Sequence, residues 1–198
     1  MRLRSSLHTV VALLALLGVA GCFSRSVPPR SYVLAAGSTP TSAAAGRGPA
    51  VGVGPMVIPA YLDRPAIVLR AAGDEVRLSE EHRWAESLKD GVARVVAENL
   101  SVMIPTDAIV IYPWKSLWTI QYRVTLEILR FDGPLGGAAV LNARWRLLDG
   151  TGKELVLRAV NLSEAAGGPT HAALVSAQSR LLERVSRDIA AEIRSRSL

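Results

Sequence analysis

From Ile120 to Ile128 apolar residues take every second position, with Gln121, Arg123, Thr125 and Glu127 between them. A period of two predicts a strand with one face buried and the other in water. Asp132–Gly137, rich in glycine and holding Pro134, turns the chain. Ala139, Leu141, Ala143, Trp145 and Leu147 then alternate with Asn142, Arg144 and Arg146 as an antiparallel partner. Asp149-Gly150-Thr151-Gly152 makes a hairpin turn, and Lys153–Ser163 is a third strand, less cleanly patterned and expected to be covered on both faces. After Gly167-Gly168-Pro169, Thr170 suits the N-cap of a last helix whose stripe is Leu174, Ala177, Leu181, Val185, Ile189 and Ile193.

The first half of the chain is patterned less evenly. Tyr32-Val33-Leu34 predicts a short strand, and Ala35–Pro49 a loop without apolar periodicity. Val51–Ile58 interleaves valine and glycine, which predicts close approach of another backbone, and Pro55 marks an edge or a bulge. Ala66–Arg70 and Glu75–Leu78 form a hairpin around Ala71-Ala72-Gly73-Asp74. Ser79 is the expected N-cap of a helix over Glu80–Leu100, with Trp84, Leu88, Val92, Val95, Val96 and Leu100 on one side. Gly91 inside that helix predicts tight packing against a neighbour. Ala108–Tyr112 adds a strand that ends at Pro113-Trp114. Three long meandering strands, several short ones and two one-sided helices predict an α+β fold. The expected form is a two-layer sandwich, with a mainly antiparallel or mixed sheet and both helices packed on one face.

Between the edge-like strand and the hairpin lies Ile58-Pro59-Ala60-Tyr61-Leu62-Asp63-Arg64-Pro65. Proline fixes its own backbone and restricts the residue before it, so Pro59 and Pro65 hold this loop in few shapes. A rigid loop on a scaffold is a common way to present a contact surface. Pro59, Tyr61, Leu62, Asp63, Arg64 and Pro65, with Trp114 and Trp118 beside their own loop, are therefore the candidate partner-binding residues. The competing role for the aromatics is as lids folded over the helix–sheet core, while Trp84 and Trp145 read as core.

The N-terminus opens Met1-Arg2-Leu3-Arg4 and continues with an almost unbroken apolar run from Val10 to Ala20. That is the pattern of a secretion signal and too short to span a membrane unaided. It ends Leu17-Gly18-Val19-Ala20-Gly21-Cys22, small residues directly before a cysteine, which resembles the bacterial lipobox. Cys22 is the only cysteine, so no intramolecular disulfide forms, and lipidation accounts for a lone exported thiol. Several acyl chains there would exceed the two-signal threshold for stable anchoring. Phe23 stands where an aspartate commonly retains such proteins in the inner membrane, which favours the outer membrane. The expected organisation is a signal peptide over 1–21, a lipidated tether over 22–31 and one domain over 32–198.

Charge and chemistry narrow the function classes. Losing residues 1–21 removes two of 23 basic and none of 17 acidic side chains, leaving about +4. The basic residues are scattered singly, without the aromatic-interleaved patch that nucleic-acid binding needs. His8, His82 and His171 have no metal-ligand spacing, and no G-x-S-x-G or phosphate-loop pattern occurs. His82 and His171 read as solvated residues at helix starts, and Glu80-Glu81 and Asp74-Glu75 as first-turn and turn charges rather than paired catalytic carboxylates. No catalytic, metal-binding or cofactor residue is expected.

Taken together, these segments resemble the ABC-type transport auxiliary lipoprotein family, which includes PqiC-like proteins. The resemblance rests on the lipobox cysteine, Tyr32-Val33-Leu34, Val51-Gly52-Val53 and Pro59-Ala60-Tyr61-Leu62-Asp63-Arg64-Pro65. It extends through Arg83-Trp84-Ala85-Glu86-Ser87-Leu88, Tyr112-Pro113-Trp114, Gln121-Tyr122-Arg123-Val124 and Ser186-Arg187-Asp188-Ile189-Ala190. Two departures are Ala66, where the family often has a polar residue, and Ser87, where it often has proline. The resemblance implies an outer-membrane lipoprotein facing the periplasm, a non-enzymatic adaptor in lipid transport between membranes. Its implied partners are an MCE-domain protein, inner-membrane transporter components and further copies of itself in a homo-oligomeric ring. It also implies a structural role for Asp63-Arg64, as an ion pair fixing the loop. The alternatives are a lipid-binding carrier and a structural envelope lipoprotein without a transport role.

Overall fold

The computed structural model describes residues 28–37, 48–104, 106–114 and 119–197. Cys22 and Trp118 lie outside the described residues, as does most of the tether. In order, the elements are β1 (Arg30–Tyr32), β2 (Val51–Val57), β3 (Ala66–Arg70), β4 (Val76–Trp84) and α1 (Leu88–Met103). They continue with β5 (Ile109–Ile111), β6 (Tyr122–Asp132), β7 (Ala138–Asp149), β8 (Glu154–Ala165) and α2 (His171–Arg196).

The α+β class holds, with mixed sheets and, among the described residues, no closed barrel. The strands divide into two sheets, a five-stranded one ordered β5-β2-β6-β7-β8 and a three-stranded one ordered β1-β4-β3. β6, β7 and β8 form the antiparallel meander that alternation predicts, and its apolar set (Val124, Leu126, Ile128, Leu141, Trp145, Leu147) is buried. Both helices lie against the larger sheet and against each other. Leu100 and Val92 of α1 and Leu181, Val185 and Ile189 of α2 are fully buried. The Thr170 cap forms as expected, its hydroxyl accepting from Ala173 N.

Four expectations are corrected. β2 is not an edge strand, for it lies between β5 and β6 and runs parallel to both. Its Pro55 sits at a break of register between Val53 and Met56, so the missing N–H is accommodated by a bulge. The helix expected from Glu80 begins at Leu88 instead. Residues 76–84 are held as β4 between β1 and β3, and Ser87 is the N-cap, accepting from Asp90 N at 3.1 Å. Trp84 and Leu88 mimic a helical stripe only because a strand end and a helix start happen to bury residues four apart. The first strand is Arg30–Tyr32, with Val33 exposed and Leu34 plugged into the core at 2 % exposure. β8 is not covered on both faces; it is the outer strand of the sheet, and Leu157 is 49 % exposed.

The smaller sheet consists of the expected β3–β4 hairpin with β1 added parallel to β4, which the pattern of residues does not predict. It meets the larger one where β3 runs beside the turn after β6: Arg70 N donates to Gly133 O at 3.1 Å, and Leu69 bridges Gly133. The Pro59–Pro65 loop spans from one sheet to the other, leaving β2 and entering β3.

Candidate functional site

The Pro59–Pro65 loop is wound tightly on itself. Leu62 N donates to Pro59 O, Asp63 N to Ala60 O and Arg64 N to Leu62 O, at 2.9, 3.3 and 2.9 Å. Pro65 O accepts from Trp84 N at 2.7 Å, which ties the loop's end to β4. Leu62 is 2 % exposed and belongs to the core, so it is removed from the set of contact residues. Pro59 and Tyr61 are half-buried, whereas Asp63, Arg64 and Pro65 are exposed. Among the described residues no ion pair joins Asp63 to Arg64. What fixes the loop lies elsewhere.

Asp132, at the last position of β6, has a fully buried side chain. Its Oδ2 accepts from Tyr61 Oη at 3.0 Å and Arg70 Nη2 at 2.7 Å. Its Oδ1 accepts from Arg70 Nε at 3.2 Å and Arg130 Nε at 2.8 Å. Burial alone would raise the carboxyl's pKa, but the bonds from Arg70, Arg130 and Tyr61 outweigh it and hold it below the usual range. Tyr61 responds in the other direction: burial and the neighbouring Asp132 charge push its hydroxyl up to about 12. The Asp132 bonds raise Arg70 further above its ordinary value. A buried carboxylate thus gathers the loop (Tyr61), the small sheet (Arg70) and the large sheet (Arg130) at one point. The residue pattern places Asp132 only in a turn; the one local signal of its role is an acid directly after the buried Phe131, where solvent cannot satisfy it.

The second candidate group surrounds Trp114. Gly52 makes room for it, since a Cβ there would stand 2.8 Å from the indole ring. The close approach predicted at this glycine is therefore made by a side chain rather than a backbone. Arg123, the β6 partner of Gly52, places its guanidinium 5.3 Å from the Trp114 ring centroid, and Tyr112 meets the ring edge-on at 5.3 Å. Trp114 is half-buried as a cover over β2, while Tyr112, 52 % exposed, is the aromatic presented to solvent. The loop and the Trp114 group are separate features of the fold rather than one surface.

Beside Tyr112, the β2 bulge opens a cleft of about 340 Å³ against α1. Val53, Met56, Ala93 and Ile111 supply apolar walls, and Lys89 and Arg94 lie at its polar side. Arg94 is engaged by Glu86 at 2.6 Å and Glu98 at 3.1 Å, leaving Lys89 as the exposed cation of the rim. His82 and His171 are also not as expected. His82 is on β4, not at a helix start, and both rings are half-buried and in contact.

No helix among the described residues is long and apolar enough to cross a membrane. The family model described as ABC-type transport auxiliary lipoprotein component matches residues 32–190. No curated protein matches the sequence. A solved structure of a protein described as uncharacterized superposes with a TM-score of 0.68 at 19 % identity, covering 84 % of this chain and 99 % of that one. Protein XCC0632 from Xanthomonas campestris, of the DUF330 family, superposes with a TM-score of 0.65 at 18 % identity, covering 81 % and 91 %. At these identities the likeness shows a shared fold.

Proposed function

Because the chain belongs to the ABC-type transport auxiliary lipoprotein family, we propose that it is a non-enzymatic adaptor anchored through Cys22 to the outer membrane. In this reading the domain faces the periplasm of a Gram-negative bacterium and serves an MCE-type system that moves lipid between membranes. Its partners are the MCE-domain protein and inner-membrane components of that system, and copies of the chain assemble into a ring.

One structural observation supports the adaptor role above the rest. The middle of the loop is immobilised by Tyr61–Asp132 and by burial of Leu62, while Asp63, Arg64 and Pro65 beside it stand exposed. A contact surface held in its bound shape loses little conformational entropy on association. In-cell photo-crosslinking from positions 63 and 64 tests this, with capture of an envelope transporter component expected. Capture of none from either position, with capture from a buried control position equally empty, overturns the adaptor reading in favour of a structural lipoprotein. Cys22→Ala tests the anchor, and a variant that stays with the outer membrane after export removes Cys22 from its role.

The cleft beside Tyr112 favours a second reading, a lipid-binding carrier, because its volume and mixed lining fall at the lower end of ligand sites. Mass spectrometry of lipid co-purified with the protein separates the two. Bound lipid at near-equal stoichiometry that is lost on Ala93→Trp supports the carrier.

A further inference from the structure

β3 and β4 do not pair evenly. Ala66 is opposite Arg83 while the next residue, Ile67, is opposite Ser79, so Glu80, Glu81 and His82 bulge out of β4. Arg83 Nε closes the bulge on Glu80 O at 2.8 Å. The bulge carries His82 to the start of α2, where its ring stacks on His171 with centroids 3.6 Å apart and planes 7° from parallel. Tyr32 of β1 completes the group: its hydroxyl is 2.7 Å from His82 Nδ1, and Ser79 Oγ is 2.8 Å from His171 Nε2. Parallel rings in van der Waals contact cannot direct their in-plane lone pairs at one ion, which removes a shared metal.

We infer that the His82–His171 stack is a pH-sensitive latch that holds the β4 bulge, and with it the β1 strand paired to that bulge, against α2 when the rings are neutral and loosens it when they are charged. Among the described residues the ring nitrogens are bonded by Tyr32 and Ser79 and no carboxylate pairs with either ring, so a second positive charge is poorly compensated. From β1 comes Arg30, paired in register with His82. From α2 comes the helix N-terminus, whose first turn has no acidic residue, so its partial positive charge opposes an imidazolium at His171. From β4 come the exposed Glu80 and Glu81, the former already engaged by Arg83 at 3.5 Å. Burial, and then the neighbouring His82, hold His171 below its ordinary 6.5. The sign follows: below 6.5 the form with the stack opened binds more protons at His171 than the latched form, so the latched form loses stability as pH falls.

β1 is poorly secured otherwise. It is three residues long, pairs only with β4 among the described residues, and its next fixed point is Leu34. Leu34 is held by burial and by Arg94 Nη2 donating to its carbonyl at 2.8 Å. Unlatching therefore moves the first fixed residue from Arg30 to Leu34. With Cys22 anchored, as proposed above, the maximal reach of the leash rises from about 28 to about 42 Å. That last consequence rests on the anchor; the latch does not.

Hydrogen exchange on the full lipidated chain in detergent micelles tests it, comparing pH 7.5 with 5.5 after correction for intrinsic rates. The expected result is a loss of roughly fivefold or more in protection over residues 30–34 and at Ala85, whose N–H donates to Tyr32 O, with β7 unchanged. His171→Gln, which keeps a side chain able to bond Ser79, is expected to abolish that pH dependence. Unchanged protection in the native chain, or the same loss in the variant, overturns the latch. If the variant does not fold, ring-proton titration of the native chain decides. His171 titrating at or above 6.5 overturns the latch, and His171 titrating below it supports it.

Discussion

The five-stranded sheet buries Val124, Leu126, Leu141, Trp145 and Leu147 beneath two helices, whereas the three-stranded sheet leaves Val76 and Leu78 of β4 more than a third exposed. The first is held by area; the second buries only Ala66, Ile67, Val68 and Trp84 in the same core and adds a few directional contacts: Asp132 with its three partners, the stacked histidines, and the Pro65–Trp84 bond. Apolar burial is additive and insensitive to pH. Polar attachment is local, depends on charge, and fails when one partner changes. The smaller sheet, which bears the exposed loop and the strand nearest the N-terminus, is thus the part of the domain most open to adjustment.

The contrast can be tested by breaking each side. Trp145→Ala empties a fully buried site in the large sheet and should cost about 3–5 kcal/mol, seen as a lower denaturation midpoint of the whole domain. A loss confined to one sheet would contradict a single cooperative core. Asp132→Ala strands two guanidinium groups that remain partly solvated, so about 2–3 kcal/mol is expected, below the range for fully buried pairs. Its signature is early hydrogen exchange in β3 and the Pro59–Pro65 loop while β7 stays protected. Equal loosening of both sheets would sink the idea that Asp132 fastens only the smaller one.

The same carboxylate sets an acid limit. Its folded pKa lies below the ordinary 3.8, so its contribution is complete above that value and fades as pH falls through the depressed one. Asp132→Asn should flatten that part of an acid-unfolding curve. Tyr61→Phe removes one neutral donor and should cost about 1 kcal/mol, read by thermal melting. Smallest of all, Arg64→Ala changes an exposed loop residue and should shift stability by less than about 0.5 kcal/mol. Reduced crosslinking at unchanged stability would assign Arg64 to recognition; a larger stability loss would make it structural.

How far local pattern carries can be seen at particular residues. Alternation over Ile120–Ile128 and Ala139–Leu147, with the Asp132–Gly137 turn between them, announces β6, β7 and their connection, because neighbours in sequence are neighbours in the sheet. The Thr170 cap announces α2 because its partner, Ala173 N, is three residues away. Where the helix after β4 begins was not legible. The bulge at Glu80–His82 hides the strand's period, and a pair of buried residues four apart counterfeits a helix. The loop was picked out by its prolines, yet its fastening was not, since Tyr61 and Arg70 reach Asp132 across 71 and 62 residues.

By itself the sequence determined the meander, both helices in kind, the turns between them, and the lipobox pattern that frames Cys22. These depend on interactions spanning a few residues, which the order of residue types encodes directly. Only the tertiary structure decided that β2 lies inside the sheet, that β1, β3 and β4 form a second one, and that His82 meets His171. Those outcomes require segments far apart in the chain to close on one another. Such closure is chosen by the packing of the whole domain, and no short window of residues carries it.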